Sequence, residues 1–155
     1  MINKKKLEET VLEKIHNTGI FLVDIEVNTG NIVKIFVDSE KGVSIDECVE
    51  LNRYITARHD KDEEDYELEV SSPGLNMSFR VKEQYLKYLN KDIEVVKKDG
   101  TKHKGVLLRY EDDAITLEEQ KRVKVEGKKK KQLVVEQLRL PFDEVKSTKA
   151  TVSFK

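Results

Sequence analysis

The chain has one cysteine, two prolines and no tryptophan in 155 residues. The single thiol, Cys48, excludes an internal disulfide and fits a reducing, cytoplasmic setting. Long apolar runs are missing as well. No stretch approaches the about 18 consecutive apolar residues that a membrane-spanning helix needs. Lys4, Lys5 and Lys6 near the start are not followed by an apolar segment, so no secretory signal is expected. The three histidines, His16, His59 and His103, do not stand at metal-ligand spacing from one another or from Cys48. Each is expected as a surface or capping residue. There is no G-x-x-x-x-G-K-[ST] loop and no G-x-G-x-x-G loop to cradle phosphates. Ser71 and Ser72 lack the G-x-S-x-G elbow of a hydrolase. Cys48 sits among apolar residues of a helical stretch, with no activating group beside it, and reads as a small hydrophobe. These absences point to a binding protein rather than an enzyme. No catalytic residue, metal or cofactor is expected.

What the chain has in abundance is charge. Asp, Glu, Lys and Arg make up 38% of it, and the mean hydropathy is -0.61, while hydrophobic residues at 37% suffice for a lean core. The net charge of -1 conceals a division. Residues 1–90 carry 12 Lys and Arg against 18 Asp and Glu, a net −6, and residues 91–155 carry 17 against 12, a net +5. Such asymmetry implies two surfaces for two kinds of partner. The acidic extreme is Asp60-Lys61-Asp62-Glu63-Glu64-Asp65. The basic extreme holds Lys121, Arg122, Lys124, Lys128, Lys129, Lys130 and Lys131, with only Glu126 against them. Cations this dense suit RNA phosphate, where binding releases condensed counterions.

Periodicity divides the chain in the same place. Leu7, Val11, Leu12 and Ile15 recur at helical spacing and predict a first helix ending near Gly19. Val23, Ile25 and Val27 alternate with polar residues, as do Val33, Ile35 and Val37, and Thr29-Gly30-Asn31 between them reads as a hairpin turn. Ser44-Ile45-Asp46-Glu47 has the form of a capping box and opens a second helix. Its apolar face is predicted to hold Ile45, Cys48, Val49, Asn52 and Ile55, with Leu51 and Tyr54 beside it. Tyr66, Leu68 and Val70 predict a third strand, and Tyr85, Leu86, Tyr88 and Leu89 mark a helix near 81–89. After residue 90 the period turns to alternation. Ile93 and Val95, Gly105 to Tyr110, Ile115 and Leu117, Leu133 to Leu140, and Val145 to Phe154 predict short strands, with Asp99-Gly100 as a hairpin signal. Strands this short and frequent suggest a small barrel, with Gly105 as the sharp bend that closure requires. Domains are therefore expected at 1–90 and 91–155.

The segment Ser71-Ser72-Pro73-Gly74-Leu75 joins the third strand to a tight polar turn. Pro73 fixes φ, and Gly74 permits a positive one. With Glu69-Val70 before it, with Val43-Ser44-Ile45-Asp46-Glu47-Cys48 upstream and with Leu140-Pro141-Phe142-Asp143-Glu144-Val145-Lys146 near the end, the chain resembles the ribosome maturation factor RimP family over nearly its whole length. The resemblance implies an α+β protein: an N-terminal α/β domain with a three-stranded sheet and packed helices, followed by an SH3-like (Sm-like) all-β barrel. It also implies binding to the free small ribosomal subunit during late assembly, with a ribosomal protein near the decoding region as one contact, and no catalysis. Where the family usually runs Asp-Arg-Pro after this turn, the chain has Asn76-Met77-Ser78, which makes Arg80 the candidate substitute for the missing cation. Asn90 stands where the family often has glycine. A general Sm-like RNA-binding regulator is the alternative reading. Against it, the barrel half offers few aromatics for base stacking, Tyr110, Phe142 and Phe154 at most.

Overall fold

The computed structural model describes residues 3–59, 65–74, 77–123, 127 and 132–151. The acidic run at 60–64, Leu75, Lys124, Lys128, Lys129, Lys130, Lys131 and Phe154 lie outside the described residues. The chain forms two compact units, Met1–Gly74 and Leu75–Lys155.

The first unit is a three-stranded sheet with two helices on one face. Helix α1 (Lys4–Ile15) starts at Asn3, whose side chain accepts a hydrogen bond from the Lys6 amide at 3.2 Å. It buries Leu7, Thr10, Val11 and Ile15, one face at three- and four-residue spacing. Leu12, expected in that set, is instead 47% exposed. Strands β1 (Phe21–Asn28) and β2 (Ile32–Asp38) form the predicted antiparallel hairpin. Gly30 and Asn31 both take positive φ at its turn.

A parallel strand needs a crossover, and helix α2 (Ile45–Arg58) supplies it between β2 and β3 (Glu67–Ser71). Both halves of the capping box are present. The Glu47 amide donates to Ser44 Oγ at 3.1 Å, and the Ser44 amide donates to Glu47 Oε1 at 3.0 Å. The register places Ile25 beside Ile35 beside Val70, and Val27 beside Val33 beside Leu68. That row is the helix-covered face, and it packs with Leu51, Ile55 and Tyr66 into one core. The opposite face carries Glu26, Lys34 and Glu69 in register. The Tyr66 hydroxyl donates to the His59 carbonyl at 2.5 Å, linking the end of α2 to the start of β3. His59 is the C-cap of α2 and meets Thr10 Oγ1 of α1 at 2.8 Å, in keeping with its expected capping role.

The buried face of α2 differs from the predicted one. Leu51 and Ile55 enter the core, whereas Ile45 is 82% exposed and Val49 40%. The helix carries two adjacent apolar stripes, and the sheet covers only one of them.

The second unit is a five-stranded antiparallel sheet preceded by a short helix. Its strands are β4 (Asp92–Lys97), β5 (Lys102–Tyr110), β6 (Ala114–Val123), β7 (Gln132–Pro141) and β8 (Val145–Ala150). The spatial order is β7-β6-β5-β4-β8. Four strands meander, and after a 3-10 turn at Phe142–Glu144 the fifth returns to pair with the first, the order of an SH3-like barrel. Ile93, Val95, Leu107, Ile115, Leu117 and Leu140 fill it. The Asp99-Gly100 turn forms as predicted, with Gly100 at positive φ. Hydrogen bonds from the Thr101 side chain and backbone hold the exposed Asp99 carboxyl below the usual carboxylate range. Beyond Glu118, β6 has β7 as its ladder partner, and this pairing runs on to Val123 and Gln132.

The division between units falls at Gly74 and Leu75, whereas periodicity places it at Asn90 and Lys91. The physical reason is helix α3 (Lys82–Lys87). Phe79, Tyr85, Tyr88 and Leu89 pack on the barrel core. The Phe79 amide donates to the Thr148 carbonyl at 2.7 Å, and the Tyr85 hydroxyl donates to Thr148 Oγ1 at 2.8 Å. Asn90 then turns into β4 with φ 66, the left-handed conformation that asparagine tolerates.

Candidate functional site

The Ser71–Gly74 turn is built at the end of an edge strand. β3 pairs with β2 on one side and is the last strand of its sheet. Ser71 ends it, and Ser72, Pro73 and Gly74 follow in irregular backbone. Gly74 does not use the positive φ that glycine allows, and a Cβ there would meet nothing within 4 Å. The two serines do line an open groove of about 450 Å³ against α2, with Val43, Ile45, Cys48 and Val49 among its other walls. The exposed stripe of α2 is therefore one wall of this groove. Burial, then the nearby Glu47 charge, pushes the Cys48 thiol above its ordinary range. A thiol held protonated is a poor nucleophile. Among the described residues, no group of three or more His, Cys, Asp or Glu could hold a metal ion.

The predicted cations belong to the other unit. Lys121 and Arg122 fall near the end of β6, in the ladder that closes at Val123 and Gln132. Lys124 and Lys128–Lys131 come between those two residues in sequence. The side chains of the whole group, Lys121 and Arg122 included, lie outside the described residues. Arg80 is exposed just before α3, where its backbone amide donates to Gln84 Oε1. Exposed Lys82, Lys91, Lys104, Arg109 and Arg139 add described cations to the same unit.

Counting by unit sharpens the charge division. Met1–Gly74 carries 9 Lys and Arg against 17 Asp and Glu, a net −8, and Leu75–Lys155 carries 20 against 13, a net +7. Moving the boundary from residue 90 to residue 74 transfers Arg80, Lys82 and Lys87 to the basic side.

Two features escaped sequence reasoning. The groove is one, although an apolar band on α2 too wide for a single contact was its signal. The other is a close pair in the barrel, between a half-buried histidine and a buried carboxylate. His103 Nδ1 lies 2.5 Å from Glu119 Oε1, and their side chains are 17% and 8% exposed. His103 is thus a half-buried partner of Glu119 rather than the expected surface or capping residue. The aromatics of this unit form a packed set: Tyr85 lies 5.3 Å from Tyr110 and 5.6 Å from Phe142, centroid to centroid.

The fold and its surfaces define a class: an acidic α/β unit followed by a basic SH3-like barrel. Within that class, the chain belongs to the ribosome maturation factor RimP family. A family model described as RimP N-terminal domain matches residues 10–76. Over its length the chain is similar to proteins named Ribosome maturation factor RimP. One from Porphyromonas gingivalis is 35% identical over 146 residues, covering 94% of this chain and 96% of that protein. One from Christiangramia forsetii is 31% identical over 150 residues, covering 97% and 96%. One from Flavobacterium psychrophilum is 26% identical over 156 residues, covering 99% and 100%. No helix among the described residues is long and apolar enough to cross a membrane.

Proposed function

We propose that this protein is a cytoplasmic ribosome assembly factor that binds the free small ribosomal subunit and assists its late maturation without catalysing a reaction. One observation carries the reading beyond family membership: the two units hold opposite net charge, −8 and +7. The basic barrel contacts rRNA phosphates through Lys121, Arg122, Lys124 and Lys128–Lys131, with Arg80 as a further contact. Phosphate contacts position a protein without reading sequence. The acidic unit is repelled by bare RNA and meets a basic ribosomal protein near the decoding region. Together the two units favour a composite protein–RNA surface over naked nucleic acid. To act in assembly and then leave, the factor must bind the immature subunit more tightly than the finished one.

The alternative, a general Sm-like RNA regulator, is less well supported. Tyr110 and Phe142, two of the aromatics that would stack on bases, are engaged with each other and with Tyr85. Sedimentation with free small subunits and with whole ribosomes tests the reading. The expected result is association with free small subunits and none with whole ribosomes. Equal association with both overturns it.

A further inference from the structure

The groove of the acidic unit has features that select an occupant. Its floor is the outer edge of β3. The Glu67 amide donates to the Asn31 carbonyl at 3.0 Å, so Glu67 and Glu69 turn their backbone groups toward β2. By the alternation of a strand, Leu68 and Val70 turn theirs away from it. Asn52 of α2 confirms that direction, donating from Nδ2 to the Leu68 carbonyl at 3.2 Å. That bond covers one end of the edge, as proteins commonly do with an exposed edge. At Val70 the edge enters the groove, beneath Ile45 and Val49.

We propose that this groove takes an extended, cation-rich polypeptide segment, which adds to β3 as a fourth strand. This deepens the protein-partner reading of the acidic unit and rests on it. Edge addition uses main-chain hydrogen bonds for affinity and alternate side chains for selection. On an added strand, the side chains on the same face as Leu68 and Val70 fall against Ile45 and Val49, where apolar residues belong. The others fall beside Glu67 and Glu69, where Lys and Arg gain a cross-strand opposite charge. Glu69, next to Val70 on the open length of the edge, is the acceptor an added strand reaches, with Lys34 in register on its other side. Arg53 also lines the groove, which assigns the segment's cations to the face away from it. The unit's net −8 attracts such a segment and repels a phosphate backbone, which disfavours RNA as the occupant.

The test uses the full chain and synthetic peptides. The probe is a fluorescein-labelled peptide that alternates arginine with valine. One control has every second amide N-methylated on the edge that would face β3. A second control has glutamate in place of arginine. Expected results are saturable binding of the probe, amide resonance shifts centred on Val70, Ser71 and Val49, and binding about tenfold or more weaker for each control. The variants I45D and V49K, at exposed positions, keep the circular dichroism spectrum and lose the probe. Equal affinity of the N-methylated peptide overturns edge pairing. The same resonance shifts produced by an oligouridylate, or by raising protein concentration alone, assign the groove to RNA or to a second copy and overturn the proposal. Sedimentation with small subunits runs in parallel. If the wild-type chain associates and both variants associate equally, the groove proposal fails and the assembly-factor reading stands. If the wild-type chain does not associate but binds the probe as described, the assembly-factor reading fails and the groove assignment stands.

Discussion

Gly105 and Glu118 approach so closely that no side chain fits between them. A Cβ built on Gly105 would stand 3.0 Å from the Glu118 carbonyl carbon and closer still to its oxygen. Both partners are backbone of adjacent strands, so neither can swing aside. Gly105→Ala is expected to destabilise the barrel by about 1–3 kcal/mol, as overpacking does. Thermal unfolding followed by circular dichroism checks this, and an unchanged midpoint would refute the close approach.

The two apolar stripes of α2 differ in consequence. Ile55 is fully buried, and its replacement by alanine should cost about 2–5 kcal/mol. Ile45→Ala, at a position 82% exposed, should fall within about 0.5 kcal/mol of the parent. Urea unfolding of the two variants measures the contrast. Comparable losses would mean that the helix is rotated from the orientation described.

The His103–Glu119 contact predicts an energetic coupling. His103→Ala removes a close partner from a carboxylate whose side chain is 8% exposed, and is expected to cost about 1–3 kcal/mol. With Glu119→Gln it forms a double-mutant cycle, for which a coupling of about 0.5–3 kcal/mol is expected. Strictly additive losses would show that the two side chains do not act together.

Tyr85 makes the barrel unit sensitive to alkaline conditions. Burial pushes its hydroxyl above the ordinary tyrosine range, opposed by the Thr148 hydrogen bond and reinforced by Tyr110. The stabilisation is fully present below the unfolded-state pKa of about 10. Above that pH the unfolded chain loses the proton first, so stability falls as pH rises toward the folded-state pKa. Tyr85→Phe should flatten this fall while costing about 1 kcal/mol at neutral pH through loss of the Thr148 bond. Denaturant unfolding at several alkaline pH values gives the slope for each protein.

Neutralising the basic run should change the salt response of RNA binding. Replacing Lys121, Arg122, Lys124 and Lys128–Lys131 with glutamine is expected to weaken binding at low salt. It should also make the slope of log affinity against log salt shallower by about 0.7–0.9 for each phosphate that is no longer neutralised. An unaltered slope would move the RNA-binding surface to the described cations, such as Arg109 and Arg139.

The parts of the fold that are legible in sequence are the locally encoded ones. Ser44 and Glu47 announce a helix start because both hydrogen bonds close within three residues. Gly30-Asn31 and Asp99-Gly100 announce turns because few residues accept positive φ. Allegiance between distant segments is less legible. Nothing local tells Tyr85 to pack with Tyr110 and Phe142, so α3 reads as part of the domain before it. The apolar face of α2 is misread for a related reason. Periodicity shows that Ile45, Val49, Leu51 and Ile55 are apolar, but only the sheet decides which of them it covers. For the site, the strand that ends at Ser71 is visible in sequence, while its place at a sheet edge depends on a parallel pairing to β2 across the whole of α2.

The β6–β7 hairpin imposes a rule on length. Past Glu118 its ladder joins those two strands alone, and the lysine-dense stretch comes where they end. Deleting one residue from each arm turns every outward side chain over. Deleting two restores the faces and shortens the projection by about 7 Å. Distances between the barrel and the far end of this ladder are therefore available only in steps, and homologous chains with different arm lengths would differ in reach by correspondingly discrete spans.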